Sequence, residues 1–166
     1  MNGRRAGGPQ RALICDFGGV IAHGILRRPA ENGSAALSER LLAAIRVEEG
    51  VLASVRRVRS LGWRTALLTN NSPGYGPEWR SKIPEIDSLF DIVVDASVTG
   101  IRKPDPAAYR LALSMLGVTP ENCVFVDDLA ANCAAAAELG MRTVLFQSGR
   151  ESMSDLEAAV AMAGEA

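Results

Sequence analysis

Five polar residues stand where their chemistry suggests a reaction centre. Asp16, Thr69 and the pair Asp127 and Asp128 each follow a short apolar run, and Lys103 lies in a polar stretch between Thr69 and the pair. Carboxylate oxygens are the ligands that Mg²⁺ prefers, whereas an amine and main-chain amides hold phosphate oxygens. This combination predicts a site at which a phosphoryl group lies beside a hard divalent cation.

Short apolar runs alternate with helical patterns along the chain, an order typical of βαβ units around a parallel sheet. Strands are predicted at 11–15, 65–68, 92–94, 123–126 and 143–146, and helices at 51–61, 106–116, 130–139 and 154–162. We therefore expect an α/β fold, a Rossmann-like three-layer sandwich whose mainly parallel sheet has about five strands.

The ends of the predicted strands bring the candidate residues together. In an open parallel sheet, ligands bind beyond the carboxyl ends of the strands. Asp16, Thr69 and Asp127 fall at three such ends, and Lys103 follows the third strand closely enough to reach the same edge. A carboxylate nucleophile that approaches a phosphate dianion needs a cation and an amine to offset the repulsion. This edge of the sheet would supply both.

Length and composition favour one domain with an ordinary core. The chain has 166 residues, of which 48% are hydrophobic and 22% charged, and these values suit a single domain over residues 11–166. Residues 1–10 are predicted to be a disordered tail. Residues 22–48 give the weakest pattern, that of an irregular segment in which Ser38–Val47 is predicted to form one short helix with Ser38 as its N-cap.

Charge, hydropathy and cysteine usage exclude several classes of function. The net charge is −1, so no global field recruits nucleic acid or an anionic membrane. No apolar run reaches the roughly 18 residues that a membrane span needs, and no apolar signal-peptide core is visible. The three cysteines show no zinc or disulfide pattern. We expect a cytoplasmic protein, and the excess of arginine over lysine with abundant Ala and Gly suggests a GC-rich bacterial genome.

Four stretches resemble, in order and in strand context, the motifs of the haloacid dehalogenase-like (HAD) superfamily. They are Asp16–Val20, Leu67–Asn70, Arg102–Pro106 and Phe125–Asp128. The greatest similarity is to the subgroup of glucose-1-phosphate phosphatases and the N-terminal phosphatase domains of epoxide hydrolases, in which stretches like Gly100–Asp105 and Val124–Asn132 recur. The resemblance covers about residues 11–147, except the segment around 22–48. It implies a Mg²⁺-dependent phosphatase that acts through an aspartyl-phosphate intermediate.

The resemblance assigns the metal site to four residues. Asp16 would be both the nucleophile and a Mg²⁺ ligand. The main-chain carbonyl of Gly18 and the carboxylate of Asp127 would be further ligands. Asp128 would bind a metal-bound water or position Lys103.

The resemblance also assigns the phosphate contacts. Thr69 and Asn70 would donate hydrogen bonds to the phosphoryl oxygens, and Lys103 would pair with the nucleophile and the transferring phosphate. The loop of Gly18 and Gly19 would add main-chain contacts. Thr69 and Lys103 thereby become catalytic residues, and the expected partner is a small phosphorylated metabolite.

Two departures from the family pattern bear on activity. Many family phosphatases carry a second Asp two residues after the nucleophile as a general acid, a role typically worth ~10²–10⁴-fold, but this chain has Gly18 there. The relatives also insert a helical cap, whereas only 52 residues separate Asp16 from Thr69. We expect a cap that is minimal or absent, with 22–48 as its remnant, and a homo-oligomer is one way to cover the open site.

Two other functions fit parts of the pattern. A catalytically weak or inactive HAD-like interaction module is favoured by Gly18 and by the missing cap. A metal-independent dehalogenase would also use an aspartate nucleophile, but the resemblance then implies a different residue, usually Tyr, two positions after it. The paired Asp127 and Asp128 favour Mg²⁺ and phosphate over that alternative.

Overall fold

The structure is a computed structural model that describes residues 10–24, 45–71 and 77–165. The strands of this part of the chain are β1 (Ala12–Cys15), β2 (Ala22–His23), β3 (Arg46–Val47), β4 (Arg64–Thr69), β5 (Ile92–Asp95), β6 (Cys123–Asp127) and β7 (Arg142–Leu145). Five of them form one sheet in the order β5-β4-β1-β6-β7, and all neighbouring pairs are parallel. The predicted parallel sheet is confirmed.

Helices fill the connections between these strands. The described helices are α1 (Glu49–Ser60), α2 (Ile86–Leu89), α3 (Ala96–Thr99), α4 (Pro106–Leu116), α5 (Ala130–Glu138) and α6 (Arg150–Glu165), with 3₁₀ turns at Pro77–Lys82 and Pro120–Asn122. None of these helices is long and apolar enough to cross a membrane. α4 begins where the sequence predicts, because the Asp105 side chain accepts a hydrogen bond from the Ala107 N–H at 2.8 Å.

The sheet is buried on both faces because its strands carry apolar residues at successive positions. Leu13 and Leu67 lie in a core cluster with residues of α1 and α6. Ile14 and Phe125 point to the opposite face and lie in a second cluster with residues of α4 and α5. The molecule therefore has the expected three layers, and the strand ends between the helical layers are where its polar residues gather.

The segment after β1 differs from the sequence prediction. Arg46 and Val47 form β3, which pairs antiparallel with β2, so the predicted helix over Ser38–Val47 is wrong at its C-terminal end. The Glu48 N–H donates to the Ile21 carbonyl at 2.8 Å and extends this pairing. Ladder hydrogen bonds to β2 thus replace those that a helix would make, because every backbone polar group needs a partner.

Two expectations lie outside the described residues. The structure does not describe residues 1–9, which make up most of the predicted tail. It also does not describe residues 25–44, which make up most of the segment over 22–48. A residual cap and a disordered tail therefore stay predictions.

The last helix is described in full and begins at Arg150, four residues before its predicted start.

Asp105→Ala should lower the free energy of unfolding by about 0.5–2 kcal/mol, because the Ala107 N–H loses its acceptor. Asp105→Asn is the matched control, since its amide oxygen still accepts, and it should stay close to the native value. Urea unfolding followed by circular dichroism measures both. An equal loss in the two variants would contradict the capping role.

Candidate active site

The side chain of Lys103 is buried between two carboxylates at the carboxyl ends of the strands. Its ammonium nitrogen lies 2.8 Å from Asp16 Oδ1 and 2.7 Å from Asp127 Oδ2. It also donates to the main-chain carbonyl of Leu68 at 2.6 Å, so each of the three ammonium hydrogens has an acceptor. The ends of β1, β4 and β6 and the Lys103 loop therefore meet at one point.

The carboxylate of Asp127 accepts hydrogen bonds at both oxygens. Oδ1 accepts from the Leu129 N–H at 2.9 Å and Oδ2 accepts from Lys103, while the Asn132 side-chain nitrogen lies 3.0 Å from each oxygen. A carboxylate offers about four acceptor positions, and these contacts use them. Asp127 thus contacts Lys103 directly and helps to position it, while the predicted role of Asp128 stays a prediction. A metal contact from Asp127 would replace one of these bonds.

Three carboxylates are close enough to share one cation. Asp16, Asp127 and Asp128 each offer an oxygen, and these atoms lie within 4.8 Å of one another. A donor set made only of oxygens fits a hard divalent cation such as Mg²⁺ better than zinc or copper. The cluster therefore suits the metal that the sequence predicts, and the Gly18 carbonyl as a further ligand stays a prediction.

Burial changes the acidity of Asp16. Its side chain is almost completely removed from water, and this desolvation raises its pKa from 3.8 to about 6, opposed by Lys103 and assisted by Asp127. Desolvation has this effect because it penalises the ionised form of a carboxyl group. A divalent cation at the cluster would favour the ionised form again.

The two glycines that follow Phe17 have different constraints. Gly19 has a φ of +89°, and a Cβ there would overlap the carboxylate of Asp128, so this position requires glycine. At Gly18, a Cβ would meet no described atom within 4 Å. Position 18 can therefore carry a side chain, and the loop geometry does not explain why the general acid is missing.

The loop after β4 is fixed by the segment that carries Lys103. The Asn70 side chain accepts from the Lys103 N–H at 2.9 Å and donates to the Lys103 carbonyl at 2.8 Å. Arg102 donates to the Asn70 carbonyl at 3.0 Å. The Asn70 side chain thus positions the lysine loop, and its NH₂ group has a second hydrogen for the phosphate contact, which stays a prediction.

A cavity of about 290 Å³ opens beside the carboxylate cluster. Its lining includes Asp128 from the cluster and the nearby Gly19, together with His23, Gln147 and Ser148. Ser148 has a φ of +63°, which is uncommon for a residue other than glycine. The cavity therefore adjoins the site and offers largely polar walls to a ligand.

A family model of haloacid dehalogenase-like hydrolases matches residues 11–140 of the sequence. The chain belongs to this family. Among curated HAD relatives, phosphoglycolate phosphatase of Cereibacter sphaeroides is 37% identical over 103 residues, which cover 62% of this chain and 46% of that protein. Bifunctional epoxide hydrolase 2 of Sus scrofa is 26% identical over 135 residues, which cover 80% of this chain and 24% of that protein. The resemblance found in the sequence is confirmed.

A solved HAD structure shows the same fold. The HAD family enzyme bt-2542 of Bacteroides thetaiotaomicron, in complex with magnesium and inorganic phosphate, superposes with a TM-score of 0.66 at 16% identity and covers 81% of this chain and 92% of that one. The chain spans less than half of the length of the curated relatives that it matches. Family and fold are therefore shared, whereas the relatives are longer proteins.

Sequence reasoning missed the polar residues that support this HAD site. In the sequence, Asn132 was noted only as the end of a motif. Its place in the first turn of α5, five residues after Asp127, could have indicated its contact with the Asp127 carboxylate. Tyr109 of α4 donates to the Asn132 carbonyl at 2.9 Å. Asn71 and Asp95 form a further buried pair, for which neither residue type nor spacing gave a signal.

Mg²⁺ should stabilise the protein more at about pH 7 than at about pH 5. In the metal-free protein, burial raises the pKa of Asp16 from 3.8 to about 6. The stabilisation that this carboxyl group contributes is therefore complete below pH 3.8 and is lost as the pH rises through about 6. Mg²⁺ binds the ionised carboxylate and therefore competes with the proton at low pH. Differential scanning fluorimetry with Mg²⁺ and with EDTA measures the change in Tm.

Asp16→Asn is the control for this titration, because the amide cannot ionise over the same range. The pH dependence of the Mg²⁺ effect should largely disappear in that variant. A native Tm shift that is the same at both pH values would contradict the assignment.

Proposed function

We propose that this chain is a Mg²⁺-dependent phosphatase that hydrolyses a small phosphate ester through an aspartyl-phosphate on Asp16. The observation that carries the proposal is the buried Lys103 ammonium group, 2.8 Å from Asp16 Oδ1 beside a cluster of three carboxylates. The name of the related phosphoglycolate phosphatase and the magnesium and inorganic phosphate held by the fold neighbour support the same chemistry.

The first step transfers the phosphoryl group to Asp16. An oxygen of the Asp16 carboxylate bonds to phosphorus as the bond between phosphorus and the ester oxygen breaks, and the alcohol leaves with the electron pair. Lys103 offsets the repulsion between the carboxylate and the phosphate. Thr69 offers a hydroxyl to the phosphoryl oxygens from the end of β4.

The chain supplies a rigid frame for this transfer. The Asp16 N–H donates to the Val126 carbonyl at 2.8 Å, so the nucleophile is still fixed to the sheet at its main chain. Asp16, the Gly18 carbonyl and Asp128 would hold the cation, with Asp127 as an additional ligand if it gives up one hydrogen bond. A divalent cation bound there would supply positive charge to the transferring phosphoryl oxygens.

The second step hydrolyses the acyl phosphate. Water attacks phosphorus, the bond from phosphorus to the Asp16 oxygen breaks, and inorganic phosphate leaves while the carboxylate is restored.

No acid stands at position 18, so the leaving alcohol of the first step takes its proton from water or from another side chain. His23 lines the adjoining cavity and is the side chain that we propose for this role, and esters with good leaving groups should react fastest.

The adjoining cavity bears on the class of substrate. Its volume of about 290 Å³ lies near the lower limit of ordinary ligand sites, which hold roughly 300–1,000 Å³. His23, Gln147 and Ser148 give it hydrogen-bonding groups. We infer that the substrate is a small phosphorylated metabolite whose leaving group is polar, rather than a nucleic acid or a protein.

Asp16→Asn should lower the turnover of p-nitrophenyl phosphate by about 10³-fold or more, because an amide oxygen is a poor nucleophile. Release of p-nitrophenol with Mg²⁺ measures the rate, and EDTA should abolish native activity. Circular dichroism checks that the variant is folded. Turnover that persists in the folded variant would refute Asp16 as the nucleophile.

Gly18→Asp should raise the turnover of esters with poor leaving groups by tenfold or more, since general acid catalysis is typically worth ~10²–10⁴-fold. The new side chain meets no steric obstacle among the described atoms within 4 Å of a Cβ. Gly18→Asn is the matched control, because it has the same shape and no acidic proton. An alkyl phosphate and p-nitrophenyl phosphate are compared in each variant, and an equal rate in both variants would show that another group donates the proton.

An inactive interaction module remains the alternative favoured by Gly18. It would replace the proposal if the Mg²⁺-loaded protein released no phosphate from p-nitrophenyl phosphate, acetyl phosphate or sugar phosphates and beryllofluoride failed to raise its Tm. Chloride release from 2-chloropropionate in the presence of EDTA would instead indicate a metal-independent dehalogenase.

A further inference from the structure

A chain of three buried polar side chains ends at Thr69. Thr69 Oγ1 lies 3.2 Å from Asn71 Oδ1, and Asn71 Nδ2 lies 3.2 Å from Asp95 Oδ2. The three residues are 3%, 8% and 4% exposed, so water contributes little to satisfying them. Thr69 and Asp95 are register partners at the ends of β4 and β5, which explains how residues so distant in sequence come together.

Asp95 sets the direction of the hydrogen bonds in this chain. Its Oδ1 accepts from the Ser97 N–H at 2.8 Å, and an ionised carboxylate has only acceptors. Asn71 must therefore turn its NH₂ group to Asp95 and its carbonyl oxygen to Thr69. Because that oxygen can only accept, the hydroxyl proton of Thr69 points to Asn71.

The main chain on both sides keeps this arrangement in place. Arg102 donates to the carbonyls of Asn70 at 3.0 Å and Asn71 at 3.4 Å. The bond from Ser97 to Asp95 also caps the first turn of α3. The Asn71 amide is thus held at its main chain and at its side chain, and it cannot simply follow the Thr69 hydroxyl when a ligand arrives.

We propose that Asp95 and Asn71 are positioning residues that hold the Thr69 proton away from a bound phosphate and thereby weaken the binding of the product. The inference rests on the proposed function, in which Thr69 contacts a phosphoryl oxygen. A phosphate dianion offers only acceptors, so this contact requires the proton to leave Asn71. Two oxygens 3.2 Å apart then face each other without a hydrogen between them, and a buried acceptor loses its donor.

A double-mutant cycle tests the proposal. Asn71→Ala removes the competing acceptor and should tighten the binding of inorganic phosphate by about 2–10-fold, the worth of one net hydrogen bond. Thr69→Val removes the hydroxyl at nearly constant shape and should weaken binding. In the Thr69→Val background, Asn71→Ala should have no effect on phosphate affinity. Isothermal titration of the Mg²⁺-loaded protein gives the Kd, and inhibition of p-nitrophenyl phosphate turnover gives an independent value.

Asp95→Asn provides a second route if Asn71→Ala does not fold. It keeps the shape of the side chain and an acceptor for Ser97, but it lets Asn71 turn its NH₂ group to Thr69, so phosphate should again bind more tightly. Unchanged or weaker binding in the folded variants, or an equal effect of Asn71→Ala with and without the Thr69 hydroxyl, would overturn the inference alone. A native protein that binds no phosphate would instead refute the proposed function together with it.

Discussion

A buried ammonium group held between two carboxylates is the interaction around which this site is assembled. Lys103 can leave water only because Asp16, Asp127 and the Leu68 carbonyl receive all three of its hydrogens, since an unpaired buried charge is strongly destabilising. The carboxyl ends of β1, β4 and β6 must therefore lie beside one another for the lysine to be buried. Together with Asp128, the cluster holds three carboxylates and one ammonium group, and a divalent cation would balance the two negative charges that remain when all three carboxylates are ionised.

Two separate sets of hydrogen bonds hold Lys103 in position. Asp127 is held by Asn132 of α5, and the main chain of Lys103 is held by the Asn70 side chain on both its N–H and its carbonyl. A charge fixed at both its partner and its backbone needs little reorganisation when a phosphoryl group arrives, which is the condition for electrostatic catalysis. Lys103 is thus in position before any ligand binds.

Strand pattern and motif order predict most of the fold and the membership of the site, because both are local properties of the sequence. The five core strands follow from apolar runs, and the N-cap of α4 at Asp105 follows from residue preferences. The antiparallel pairing of β2 with β3 does not, since two-residue strands have no periodicity to detect. The contact of Asp127 with Lys103 and the link from Asn71 to Asp95 depend on strand register and side-chain direction, which spacing alone cannot give.

Covalent trapping tests most directly whether Asp16 accepts the phosphoryl group. The Mg²⁺-loaded protein is mixed with acetyl phosphate, quenched in acid and reduced with borohydride, which converts an aspartyl phosphate to homoserine. Tryptic cleavage after Arg11 and Arg27 gives a peptide in which Asp16 is the only acidic residue, so mass spectrometry locates the product unambiguously. We predict homoserine at position 16 only when Mg²⁺ is present. An intact Asp16 in every peptide from protein quenched during steady turnover would contradict the account.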